Sequence, residues 1–285
     1  MKHEAWLRMT EHLRCPICKS PLTVNAEGTS LVCASEAGGK RHCFDLAKRG
    51  YVNLDTRHAG GGDEKALVSA RTEFLLSGAY QPISDAVNAA LASYAEAGLV
   101  LDAGCGEGYY TSRAAEALPT HTFLGVDLSK SAIDSASKQR NMTGGRASFA
   151  VAGIYDLPIV NGAASAVMNL FAPCAETEFC RVLADRGVLI LVYAGEDHLY
   201  GLKKAVYDIP YKNDARADLP TGMELLTENR VRYMAHIPSG DLVRALFSMT
   251  PYAFRTSRTD LEKLNRLDSL DTEVDVTVAV YRKNG

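Results

Sequence analysis

Leu99-Val100-Leu101-Asp102-Ala103-Gly104-Cys105-Gly106-Glu107-Gly108 is the stretch on which the fold turns. The apolar run 99–101 predicts a short strand that ends at an acid, and the glycines after it predict a tight turn into a helix over 109–118. Glycines at such a turn let the backbone take positive φ and let a ligand come close. The helix start that follows attracts electron-rich ligand groups. A dinucleotide fingerprint wants glycine at position 109, and Tyr109 stands there instead, so a pyrophosphate binder is disfavoured. Asp127 closes the next predicted strand, 122–126, where a carboxylate can take the two hydroxyls of an adenosine ribose.

Downstream, strands and helices alternate. Residues 129–139 read as a helix, 148–151 and 166–171 as strands, 175–184 as a helix, and Gly187–Tyr193 as a strand with no polar face. Weaker signals give a helix over 197–207, a polar loop over 208–222, a strand over 230–237, a helix over 240–249 and a final strand over Val274–Tyr281. Alternation of this kind predicts an α/β fold, a largely parallel sheet with helices on both faces. Upstream, residues 63–97 read as two helices broken at Ser77-Gly78-Ala79-Tyr80-Gln81-Pro82, and Ala59-Gly60-Gly61-Gly62 reads as a hinge.

Before the hinge the chemistry changes. Cys15-Pro16-Ile17-Cys18 is a CxxC knuckle, Cys33 follows after fourteen residues, and His42-Cys43 after eight more. A knuckle presents two thiolates to one Zn²⁺, which takes four N or S ligands in a tetrahedron. Cys33 with His42 gives Cys₃His, and Cys33 with Cys43 gives Cys₄. So polar a segment needs a staple to fold, and no βαβ pattern surrounds the CxxC to favour a redox role.

Charge is uneven. Residues 1–58 are net +3, residues 59–202 net −7 and residues 203–285 net +1, within 285 residues of net charge −3. Any surface for a polyanion must therefore be local; Lys40, Arg41, Lys48, Arg49 and Arg57 form one such cluster. With 47% hydrophobic residues the chain is expected to fold rather than stay disordered. No apolar run suits a membrane span and the first fourteen residues do not read as a signal peptide, so a cytoplasmic protein is expected.

The glycine-rich stretch resembles the signature of class I S-adenosylmethionine-dependent methyltransferases. That resemblance implies a Rossmann-like, seven-stranded sheet with its last strand antiparallel. It also implies S-adenosylmethionine contacts from Asp102, Gly104, Gly106, Glu107, Gly108 and Tyr109, with Asp127 on the ribose and Leu128 beside it. The adenine would lie near Ala152–Pro158, without the acid common at position 152, and the methyl acceptor would lie near Asn169–Pro173.

The likeness extends over about residues 13–282. The CPxC knuckle followed by His42-Cys43-Phe44-Asp45-Leu46-Ala47-Lys48-Arg49-Gly50-Tyr51-Val52-Asn53-Leu54, the bridge with Arg71 and the SGAYQP turn, the GCGEGYY core and Met249-Thr250-Pro251-Tyr252-Ala253-Phe254 together resemble the bacterial 23S rRNA (guanine-N1)-methyltransferases. The resemblance implies a small N-terminal zinc-ribbon-like module ligated by Cys15, Cys18, Cys33 and His42, with Cys43 as an extra thiol. It implies cofactor contacts from Tyr80 and His198, 23S rRNA as partner, and a homodimer; some members confer resistance to tunnel-binding macrolides. On this reading residues 1–58 form the zinc-binding module for RNA recognition, 59–97 a helical bridge and 98–285 the methyltransferase domain.

For guanine N1, the departing proton singles out no base; Glu107 and Asp156 are candidates by position, and Phe171 and Pro173 are candidates to stack on the base. The same core also hosts small-molecule methyltransferases with a structural zinc site, and a non-catalytic nucleic-acid binder is a third class. The intact Gly104, Gly106, Gly108 and Asp127 disfavour the last.

Overall fold

The computed structural model describes residues 2–34, 41–56, 65–138, 143–214 and 220–284. The 59–62 hinge, Lys40 and Arg57 lie outside the described residues. The core is one eight-stranded sheet. In spatial order it runs β10 (Met223–Ile237), β11 (Leu270–Lys283), β9 (Leu183–Ala194), β8 (Ala164–Leu170), β5 (Leu99–Ala103), β6 (Thr122–Asp127), β7 (Ala147–Val151), β4 (Val52–Asn53). β11 runs against both its neighbours, and the other pairings are parallel. Seven of these strands are those the sequence predicts. The eighth, β4, comes from the cysteine-rich segment and pairs Val52 and Asn53 with Ala150 and Val151.

Helices α2 (Lys65–Leu76), α3 (Gln81–Tyr94), α4 (Tyr109–Ala117), α5 (Lys130–Ala136), α7 (Tyr200–Val206) and α8 (Gly240–Ser248) bury apolar side chains in one core cluster with Val100, Phe123, Met168 and Ile190 of the sheet. The break between α2 and α3 falls where expected, with Pro82 in the first turn of α3. Pro there supplies a preset φ and lacks only an N–H that the helix would leave unbonded. The predicted helix over 175–184 is shorter: α6 (Glu176–Val182) stops because β9 begins at Leu183. Likewise the strand expected at 230–237 starts at Met223, and one further helix, α9 (Arg258–Leu264), precedes β11.

The N-terminal segment adds α1 (Lys2–Met9) and a three-stranded antiparallel sheet of β1 (Leu22–Val24), β2 (Ser30–Cys33) and β3 (Cys43–Asp45). It does not stand apart. Trp6, Met9, Leu13, Leu22 and Leu31 share a second core cluster with Leu99, Leu101, Leu124 and Ile159 of the sheet side. Trp6 is fully buried and donates from Nε1 to the Gly50 carbonyl at 2.8 Å. Among the described residues, no helix is long and apolar enough to cross a membrane.

Candidate active site and metal centre

The glycine turn is strapped onto the neighbouring strand: the amides of Gly104 and Cys105 both donate to the Val126 carbonyl, at 2.9 and 3.0 Å. Gly104 has φ +87°, and a Cβ there would meet the Ala172 side chain at 2.9 Å. Glycine therefore holds the turn against the end of β8. Asp127 closes β6 and accepts from the Gly106 amide at 3.0 Å and the Ser129 amide at 2.8 Å, which aims its carboxylate over the turn. Together they border a cavity of about 550 Å³.

Of the cofactor residues expected from sequence, Tyr80, Asp102, Gly104, Gly106, Glu107, Asp127, Leu128 and His198 line that cavity. Two do not. A Cβ on Gly108 would lie 2.8 Å from Ala136 and Phe149, so this glycine serves close helix–sheet packing. Tyr109 is buried beneath the guanidinium of Arg113, 5.8 Å from its ring centroid, and the adjacent Tyr110 takes the place on the wall. Arg71, Leu246, Asn213 and the segment 249–252 also line the cavity. They come from the bridge, α8 and loops far apart in sequence; only Arg71 and the MTPY stretch carry a sequence signal, as parts of the resemblance.

Three titratable groups on the cavity wall, Asp102, Glu107 and His198, are buried. Burial pushes the Asp102 carboxyl up to about 7, while the Thr111 hydroxyl, donating at 2.6 Å, pulls the other way. Burial also pushes Glu107 up to about 7 against the opposing pull of Arg71, whose Nη1 lies 3.5 Å from Oε2. Burial lowers His198 to about 4, so its imidazole is neutral at pH 7. The Asp275 amide donates to His198 Nδ1 at 3.3 Å, so the neutral ring carries its proton on Nε2, which lies 3.3 Å from Tyr80 Oη. Asp275 is itself fully buried and held by a two-point ion pair to Arg230 at 2.7 and 2.8 Å. Burial holds Tyr80 well above the usual phenol range, so it stays protonated.

Phe171, the residue after β8, lies in the left-handed region, with φ +53°. This strained backbone turns a half-exposed ring onto the cavity wall, stacked on His198 with centroids 6.0 Å apart. Beneath it Asn169 donates to the Ala103 and Pro173 carbonyls at 3.0 and 3.2 Å, fixing the Phe171–Pro173 turn against the glycine turn. The wall on the Asp127 side is apolar: Leu128, Ala152, Ile154 and Tyr155. Asp156 is not on it. Its carboxylate is engaged by Lys19 at 2.8 Å and Arg14 at 3.3 Å, so it ties the N-terminal segment to the core and is unavailable as a base.

The ligating atoms of Cys15, Cys18, Cys33 and His42 all lie within 4.8 Å of one another. Nδ1 of His42 is 3.6 Å from the sulfurs of both Cys15 and Cys33. That is about the edge expected of a tetrahedron with Zn–S near 2.3 Å and Zn–N near 2.0 Å. The His42 amide donates to Cys33 Sγ at 3.2 Å, and Ser20 pulls the Cys18 thiol down to about 6, both of which favour thiolates. Cys43 is exposed and its sulfur lies 3.9 Å from Asp45, outside the cluster, which leaves Cys₃His. Of the basic residues expected to face RNA, Arg49 instead forms an ion pair with Asp134 on α5.

Residues 100–187 match the family described as a methyltransferase domain, and residues 13–54 match the family described as RlmA, N-terminal, a zinc ribbon. The chain is 36% identical over 203 residues to the 23S rRNA (guanine(748)-N(1))-methyltransferase of Streptomyces fradiae, covering 70% of this chain and 69% of the relative. It is 32% identical to each of two proteins provisionally named 23S rRNA (guanine-N1)-methyltransferases. The Micromonospora griseorubida protein covers 94% of this chain and 95% of the relative, and the Bacillus subtilis (strain 168) protein 95% and 96%.

Proposed function

Because the chain belongs to the 23S rRNA (guanine-N1)-methyltransferase family, we propose that it transfers a methyl group from S-adenosylmethionine to N1 of a guanine in a 23S rRNA hairpin, in the cytoplasm. The observation that carries the reading is a single cavity lined both by Asp127 and the glycine turn and by the adjoining Phe171–Pro173 turn. Donor and acceptor would meet inside it.

S-adenosylmethionine supplies an electrophilic methyl group on a sulfonium. Asp127 would accept from the ribose hydroxyls, and Leu128, Ala152, Ile154 and Tyr155 would cover the adenine by apolar contact rather than by a carboxylate at position 152. The His198 Nε2–H would donate to Tyr80 Oη, which directs the Tyr80 hydroxyl hydrogen toward an acceptor in the cavity. With Arg71 on the same cavity lining, that hydroxyl would suit the cofactor carboxylate. The Phe171 ring would take the guanine face. The N1 proton finds no dedicated base in this pair: His198 Nδ1 is already an acceptor and Tyr80 is held protonated. Acceleration would come chiefly from alignment of N1 with the methyl group, with Glu107 on the cavity wall the remaining candidate to take the proton. Cys15, Cys18, Cys33 and His42 would hold zinc, whose work is to fold the N-terminal module.

Zinc-loaded protein, unmodified 23S rRNA and isotopically labelled S-adenosylmethionine provide the test. Mass mapping is expected to find N1-methylguanosine at one site. No incorporation, by protein that binds both zinc and cofactor, overturns the assignment and returns a small-molecule acceptor to first place.

A further inference from the structure

Two segments beside the cavity carry features that methyl transfer does not use. Residues 207–214 follow α7 and expose Ile209 (87%) and half of Tyr211 (50%); residues 252–258 follow α8 and expose Phe254 (81%). They are tied together. Tyr207 Oη and Thr256 Oγ1 share a hydrogen bond at 2.6 Å, and the Tyr207 ring sits 5.9 Å from that of Tyr211 and 6.1 Å from that of Tyr252. Tyr252 and Asn213, one on each segment, also line the cavity, so the two surfaces are continuous.

Lys203 lies underneath, 1% exposed. Its ammonium stands 4.1 Å from the Tyr211 ring centroid and 5.2 Å from that of Tyr252, and donates to Asn213 Oδ1 at 2.6 Å. Among the described residues no carboxylate pairs with it. A buried ammonium without a counter-charge is costly, and here ring faces and one amide hold it. Such a cation pins both rings and draws density from them, which favours stacking of an electron-rich base on the remaining face. Arg255 directly follows the exposed Phe254 and lies within electrostatic reach of Tyr211, Arg258 opens α9 three residues on, and neither forms an ion pair among the described residues.

We propose that this ledge, Tyr211 backed by Lys203 together with the exposed Phe254, seats unpaired RNA bases next to the target guanine, with Arg255 and Arg258 on the adjoining phosphates. The inference rests on the rRNA reading above. A guanine presented through N1 is unpaired or extruded, so the nucleotides beside it leave the stack as well. Exposed aromatic rings interleaved with unpaired guanidinium groups are the chemistry that receives them.

The test is fluorescence anisotropy of a labelled 23S rRNA hairpin with zinc-loaded protein across a salt series. The Tyr211→Ala/Phe254→Ala double variant is expected to bind the hairpin about 10- to 100-fold more weakly with the salt slope little changed. The Arg255→Gln/Arg258→Gln double variant is expected to lower the slope by about 1 to 2. Both should keep wild-type zinc content and affinity for S-adenosylmethionine; the melting temperature should fall only where Tyr211→Ala strips a ring from Lys203, and Phe254→Ala alone should still weaken RNA binding. Unchanged RNA affinity in both variants overturns the proposal. So does an aromatic variant that turns a dimer into a monomer while each protomer binds RNA as before. Wild-type protein that binds the hairpin through these residues yet forms no methylguanosine supports the ledge and overturns the methylation reading instead.

Discussion

His198 and Tyr80 form a pair with a direction, set by one backbone amide. Because the Asp275 N–H occupies Nδ1, the proton of the neutral ring is on Nε2, and nitrogen-15 NMR at pH 7 should show that tautomer. Loss of the terminal donor tests its use: Tyr80→Phe and His198→Asn should each weaken S-adenosylmethionine binding by about 10-fold in calorimetry. His198→Gln, whose amide can reach the Nε2 position, should lose less. Asp102 gives a second prediction at this scale. Its carboxyl is raised from 3.8 to about 7, so its contribution to stability is full below the unfolded value and lost as pH rises through 7. Asp102→Asn should flatten the decline in urea midpoint between about pH 4 and 7. His198 works in the opposite sense between about 4 and 6.5, so the difference between variant and wild type at each pH isolates the Asp102 effect.

Among the elements, the glycine turn and the strands around it were the most legible. Leu99–Leu101, Phe123–Val126 and Val188–Val192 are apolar runs buried on both faces, and such runs announce themselves without a partner. Gly108 shows how far the reading reached: the motif placed a glycine there, but its reason is the Ala136 and Phe149 side chains rather than a ligand. Gly108→Ala should therefore cost about 2–4 kcal/mol in denaturant unfolding, from strain at φ +78° and from overpacking. What stayed hidden was non-local. A two-residue strand such as Val52–Asn53 has no period to detect, and Lys2–Met9 is too short and charged to read as buried, although Trp6 is its anchor. Asp156 looked like a candidate base because sequence could not show Arg14 and Lys19 arriving from 137 or more residues away.

Across the whole molecule, the N-terminal module and the large sheet share a core, and this makes zinc a stabiliser of both. The chain has one tryptophan, Trp6, at that seam, so its emission reports the seam alone. Chelation of zinc should shift Trp6 emission to the red and lower a single melting transition, detected alike by tryptophan emission and by far-UV circular dichroism. Two separate transitions, with cofactor affinity unchanged by chelation, would mean that the module and the sheet are energetically independent.

The edge strand at Val52–Asn53 also sets an order of events during synthesis. It leaves the ribosome well before its partner, Ala147–Val151, exists. Cys15, Cys18, Cys33 and His42 all precede it, so the metal can be captured while the rest of the chain is still being made. The nascent protein would then carry a metal-clamped tip with an open hydrogen-bonding edge and the apolar side chains of the shared core uncovered, closed only when the third parallel strand of the growing domain docks against it. Metal starvation would on this view harm newly made chains far more than finished ones.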